Sequence, residues 1–116
     1  VKEFNEKDLE KKVIGNKKET WVIDYFAPWC GHCQVLEPHV ILAAQMLEGR
    51  VKFAKVNCDS FRGICAKAGV NAYPTLLIYR GEKKLNAGRN IEGHTAEGIR
   101  DSVLRVLKEK RAHDEL

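Results

Sequence analysis

The chain predicts an α/β domain built on a mixed sheet, and three observations lead there. Its 116 residues suit a single core of four or five strands with helices. Short apolar runs rich in β-branched and aromatic residues alternate with stretches of helical spacing. One run, Trp21–Ala27, is almost continuously apolar, as in a central strand buried on both faces.

The elements follow in order. Val1–Phe4 reads as a short first strand. Asn5–Val13 is charged, with Leu9 and Val13 four apart, and reads as a short helix closed by Gly15-Asn16. Pro28 stops the strand Trp21–Ala27. Cys33–Glu48 places Val35, Leu36, Val40, Ala43, Ala44 and Leu47 at helical spacing, with Pro38 expected to kink it. Val51–Val56 is a second buried strand, and Ser60–Ala68 a short helix ended by Gly69. Thr75–Tyr79 is a third apolar strand, and Lys83–Ala87 a weaker polar one at an edge. Thr95–Lys110 closes the fold as a helix with Ile99, Val103 and Leu107 on one face and Thr95 as its N-cap. Strands alternating with helices imply right-handed crossovers, and the closing hairpin adds an antiparallel edge. The domain is expected over residues 1–108, followed by a charged tail over 109–116.

Composition narrows the function classes. Hydrophobic residues are 44% and charged residues 31%, and the apolar runs are too short to span a membrane. The net charge is +4, but the two signs are interleaved rather than gathered in a stripe, which argues against a nucleic-acid partner. The single methionine is Met46, so the chain reads as a processed product or the last piece of a longer protein. It closes with His113-Asp114-Glu115-Leu116, a receptor-read retention address for the endoplasmic reticulum. That address places the expected site of action in an oxidising lumen where disulfides persist.

The chemistry centres on Cys30-Gly31-His32-Cys33, at the corner where a buried strand hands over to a helix. Two cysteines at this spacing can close a small disulfide ring. A helix N-terminus offers unpaired N–H groups and the positive end of the dipole to Cys30, and His32 adds positive charge; all favour the attacking thiolate. Cys33, one turn in and expected to be less exposed, suits the resolving role. A purely structural disulfide has no use for Gly31 and His32 on such a corner. A c-type haem site needs His directly after the second cysteine, where Gln34 stands. Zinc needs a second knuckle, and Cys58-x₆-Cys65 has the wrong spacing, so neither metal nor cofactor is expected.

The segment Phe26-Ala27-Pro28-Trp29-Cys30-Gly31-His32-Cys33 resembles the active-site signature of the protein disulfide isomerase family. Ala72-Tyr73-Pro74-Thr75 resembles the loop of the thioredoxin fold that sets a cis-proline against the cysteines. The likeness runs from about Val1 to Lys108. With Cys58-x₆-Cys65 and the retention tail it is most similar to one subgroup, the J-domain-containing disulfide reductases of the endoplasmic reticulum, and there to the C-terminal thioredoxin domain.

The resemblance implies a thioredoxin fold with helices on both faces of the sheet, and a protein-disulfide reductase or isomerase acting on disulfide-bonded or misfolded clients. It implies a lumenal chaperone partner through upstream domains, beside the retention receptor. The alternatives are an oxidase-type disulfide donor and a client-binding module of a larger chaperone. The Gly31-His32 dipeptide resembles the more oxidising isomerase site, near about −180 mV, rather than thioredoxin near about −270 mV.

Individual residues take expected roles. Asp24, a carboxylate inside an apolar strand, is a costly placement whose pKa should rise, and it matches the family's buried proton acceptor for the second cysteine. Lys55 matches the lysine that pairs with that acid, or is an ordinary strand lysine. Trp29, Val70 and Tyr73 offer an apolar rim, and the implied cis Tyr73–Pro74 bond presents backbone groups to an extended client. His94 stands where the isomerases place a mobile arginine, so assistance to Cys33 ionisation there would be pH-dependent. Cys58 and Cys65 can reach each other and are expected to form a structural bridge, with a second redox pair as the alternative.

Overall fold

A computed structural model of the chain describes residues 1–109. Five strands form one sheet in the spatial order β1-β3-β2-β4-β5: β1 (Lys2–Glu3), β2 (Trp21–Phe26), β3 (Lys52–Asn57), β4 (Thr75–Tyr79) and β5 (Arg89–Ile91). β1, β3 and β2 run parallel, while β4 and β5 are antiparallel to their neighbours, so the sheet is mixed as expected. Four helices cover it: α1 (Glu6–Asp8), α2 (Gly31–Met46), α3 (Arg62–Lys67) and α4 (Ala96–Lys108).

β2 lies at the centre, and its period of two sorts the core into two layers. Ile23 and Tyr25 point to one face, where they pack with Leu9, Val13, Ile64 and Tyr79. Val22 points to the other, against Leu36, Val40, Ile99 and Val103 of α2 and α4. Asp24 shares the alternation of Val22 and therefore faces α2. This parity is what brings a carboxylate under the helix that carries Cys33.

The termini of most expected elements fall within one or two residues of those observed. Asn5 caps α1 reciprocally with Asp8, and the chain then continues as a π-helical turn over Leu9–Val13, in which the Ile14 N–H donates to the Leu9 carbonyl at 2.9 Å. Thr95 caps α4, its Oγ1 accepting from the Gly98 N–H at 3.1 Å. At the other end, the Arg80 guanidinium donates to the carbonyls of Val106 and Glu109. α2 runs through Pro38 without interruption.

One element is displaced. The strand expected at Lys83–Ala87 is instead a 3₁₀ turn over Leu85–Ala87, and the pairing strand is β5 at Arg89–Ile91. The cause is tertiary. Tyr25 and Tyr79 hydroxyls bond at 2.8 Å in the core, and the Tyr79 hydroxyl donates onward to the Leu85 carbonyl at 2.7 Å. That bond holds the turn, and Gly88 then lets the backbone cross the Tyr79 ring, where a Cβ would lie 2.8 Å from ring carbons. The tail tetrapeptide His113–Leu116 lies outside the described residues.

Candidate active site

Two faces of one corner make the site. β2 ends at Phe26, and Ala27–Trp29 carry the chain to α2, whose N-cap is Cys30. The loop is fixed by the Cys30 N–H donating to the Ala27 carbonyl at 3.1 Å and the Gln34 amide to the Pro28 carbonyl at 3.0 Å. Helix α2 thus begins two residues earlier than expected, with Gly31 and His32 in its first turn. The Cys33 N–H donates to Cys30 Sγ at 3.1 Å. That sulfur therefore sits at the N-terminus of α2 and accepts an amide hydrogen bond there.

Both cysteines are free thiols and both are 6% exposed, so the expected difference in exposure is absent. What separates them is their surroundings. Burial, then the hydrogen bond with Cys30 and the charges of Cys30 and Asp24, push the Cys33 thiol up to about 12. A group so reluctant to ionise needs help to act as a nucleophile.

That help lies beneath it. Asp24 is 5% exposed, and its Oδ1 has no hydrogen-bond partner among the described residues. Burial pushes its carboxyl up to about 7, opposed by the charge of Lys55 and reinforced by that of Glu37. Asp24, Cys33, Gln34, Glu37 and Lys55 line a cavity of about 80 Å³, large enough to admit water. Lys55 is the register partner of Asp24 on β3. Its ammonium does not bond Asp24, however. It donates to Glu37 Oε1 at 2.8 Å and lies 5.3 Å above the Phe26 ring, so the expected Lys55–Asp24 pair is replaced by Lys55–Glu37. Glu37 was missed by sequence reasoning. Its position four residues after Cys33 on α2 was the available signal.

The other face is open. The Tyr73–Pro74 bond is cis. Tyr73 packs on the Ala27, Cys30 and Cys33 cluster and stands edge-on to Trp29, with ring centroids 5.9 Å apart. On one side, His32, Val35, Tyr73, Pro74 and His94 line a groove of about 500 Å³. On the other, Trp29, Val70 and Tyr73 line a hollow of about 370 Å³ beside Cys58 and Cys65. The three rim residues Trp29, Val70 and Tyr73 therefore line one hollow, and Tyr73 joins Pro74 in the other. Trp29 is 66% exposed and is steadied by Asp59, whose Oδ1 accepts from the indole N–H at 3.1 Å. His94 precedes α4, and the Ala96 N–H donates to His39 of α2 at 3.2 Å, tying that turn to the active-site helix. Gly93 has a φ of +134° and abuts α4, where a Cβ would lie 2.7 Å from the Ile99 nitrogen.

Cys58 and Cys65 are joined by a disulfide with Cα atoms 5.8 Å apart, both residues buried. Among the described residues no group of three His, Cys, Asp or Glu is placed to hold a metal ion, and no helix is long and apolar enough to cross a membrane.

Comparison with known proteins agrees with this geometry. DnaJ homolog subfamily C member 10 of Rattus norvegicus is 45% identical over 80 residues, covering 69% of this chain and 9% of that protein. The Xenopus laevis protein of the same name is 36% identical over 110 residues, covering 87% and 14%. Protein disulfide isomerase-like 2-3 of Oryza sativa subsp. japonica is 37% identical over 82 residues, covering 71% and 18%. The chain thus spans a small part of the length of these curated relatives. The solved Trx4 domain of ERdj5 superposes with a TM-score of 0.81 at 33% identity, over 91% of this chain and 94% of that one. The sequence matches the thioredoxin family over residues 1–105, and with a mixed five-stranded sheet, a helix capped by a cysteine pair and a cis-proline packed beside it, the chain belongs to that family.

Proposed function

We propose that this domain is a protein-disulfide reductase or isomerase that acts on client proteins through Cys30 and Cys33. The observation that carries the reading is the asymmetry of the pair: Cys30 Sγ accepts an amide hydrogen bond at a helix N-terminus, whereas Cys33 sits over a buried carboxylate. In the reductive direction the Cys30 thiolate attacks one sulfur of a client disulfide. The Cys30–client bond forms, and the second client sulfur leaves as a thiolate. Asp24 then accepts the Cys33 proton across the small cavity, directly or through water. The Cys33 thiolate attacks Cys30, the Cys30–Cys33 disulfide forms, and the first client sulfur leaves. Two electrons pass from the dithiol to the client, and a thiol reductant must return them.

The groove and hollow flanking Tyr73 would hold an extended client segment, with Trp29, Val70 and Pro74 along its path. The similarity to ERdj5 and to disulfide isomerase-like proteins supports the reductase or isomerase direction. It also supports work in the lumen of the endoplasmic reticulum. In this reading the tail His113–Leu116 would be read by the retention receptor, and a lumenal chaperone would be the partner. The test is trapping. Cys33→Ser should accumulate covalent adducts with disulfide-bonded clients, resolved by reductant on a gel, and Cys30→Ser should form none. Equal adduct formation by both variants would refute the assignment of roles.

A further inference from the structure

We propose that Glu37 is a positioning residue for proton transfer from Cys33, acting by holding Lys55 at the mouth of the cavity and away from Asp24. The inference rests on the reading of Asp24 as the proton acceptor. Asp24 and Lys55 are neighbours across β2 and β3, on adjacent strands and both lining the same cavity. Left to themselves, a buried carboxylate and a lysine so placed would pair, and the pair would make Asp24 a weak base. Glu37 offers the ammonium another partner. It lies on α2 one turn after Cys33, its side chain is 48% exposed, and its Oε1 takes the Lys55 hydrogen bond at 2.8 Å. The Phe26 ring beneath Lys55 helps hold the ammonium there.

The groups that bear on Asp24 come from two elements. Cys33 and Glu37 face it from α2 and Lys55 from β3, while its register neighbour on β4 is the uncharged Leu76. Within this set Glu37 acts in two ways. It withdraws the positive charge that would stabilise ionised Asp24, and its own negative charge disfavours that form. Both keep Asp24 able to accept a proton near neutral pH, where its basicity helps to draw the proton from Cys33. The proton leaves Cys33 Sγ and ends on an Asp24 oxygen, so no further reactant is required.

The test separates the two cysteines in one experiment. Reduced protein reacts with 5,5′-dithiobis(2-nitrobenzoate), and stopped flow resolves two releases of thionitrobenzoate. The first reports attack by Cys30 and the second attack by Cys33 on the mixed disulfide. In the unaltered domain the acid limb of the second phase should have its midpoint near the Asp24 value of about 7. In Glu37→Gln and Glu37→Ala that midpoint should move down by about one pH unit, with a plateau a few-fold lower, while the first phase is unchanged. Glu37→Asp, which keeps the charge, should restore the midpoint. Loss of a merely structural contact would slow the second phase at every pH without moving its midpoint, and that result would overturn the proposal. Asp24→Asn provides the discriminating control. If it abolishes the acid limb while Glu37→Gln does not move it, only the role of Glu37 fails. If the limb survives in Asp24→Asn, the proton-acceptor reading fails with it.

Discussion

Replacing Asp24 by Asn should stabilise the reduced domain above pH 7 and leave it nearly unchanged near pH 4. The reasoning is one of linkage. The unfolded chain releases the Asp24 proton near 3.8, while the folded domain holds it until about 7. Between those values the folded state binds more protons, so raising the pH favours unfolding, and the loss is complete above about 7. The interval from 3.8 to about 7 corresponds to about 4 kcal/mol at about 1.4 kcal/mol per pH unit. Asn is nearly isosteric and cannot ionise, so it escapes this cost while keeping the packing against α2. Protonated Asp24 and Asn each bury an uncharged polar group, so the two proteins match near pH 4 and a stabilisation of about 3–4 kcal/mol is expected at pH 8.5. Urea unfolding of both proteins under a non-thiol reductant, at intervals from pH 4 to pH 8.5, measures the difference directly. Groups that titrate alike in both proteins cancel. Parallel stability curves across the whole range would refute the argument, because they would mean that Asp24 ionises in the fold as easily as in water.

Three further outcomes follow from the packing. The double variant Cys58→Ala/Cys65→Ala opens a short loop with a sequence separation of 7 and should lose about 2–3 kcal/mol of stability in denaturant, with both phases of thionitrobenzoate release retained; loss of exchange would instead make the bridge a second redox pair. Trp29→Ala removes an aromatic that is 66% exposed, so the thermal midpoint should hardly move, while KM for a disulfide-bonded peptide should rise by about 5- to 10-fold in steady-state assays. Thr95→Ala removes the α4 cap and should cost about 1 kcal/mol in urea unfolding, with no change in the rate of Cys33 attack.

Much of this was legible in the chain, and the reasons are local. β2 announces itself because six apolar residues stand together around one acid. Cys30 to Cys33 declare their chemistry by spacing and by the strand-to-helix corner they occupy. Thr95 is a cap that needs no tertiary help. What was not legible depends on partners distant in sequence. The edge strand lies at Arg89–Ile91 because the Tyr79 hydroxyl captures the Leu85 carbonyl and Gly88 passes over the Tyr79 ring. Lys55 was matched to Asp24 by family resemblance, but Glu37 on the covering helix takes the ammonium instead. Asp59 steadies Trp29 across 30 residues, and nothing in the spacing of either marks the pair.

Every step of the proposed exchange requires Cys30 and Cys33 to form one exchangeable dithiol. The direct measurement is equilibration of the domain in a series of glutathione buffers, with acid quenching, alkylation and mass analysis of the Cys30–Cys33 peptide. A single two-electron transition between dithiol and intramolecular disulfide is expected. Its potential should lie between about −180 and −270 mV, and a value below a lumenal poise of about −180 to −210 mV would identify the reducing direction. Persistence of two free thiols, or of glutathione adducts on either cysteine with no intramolecular bridge across the series, would contradict it.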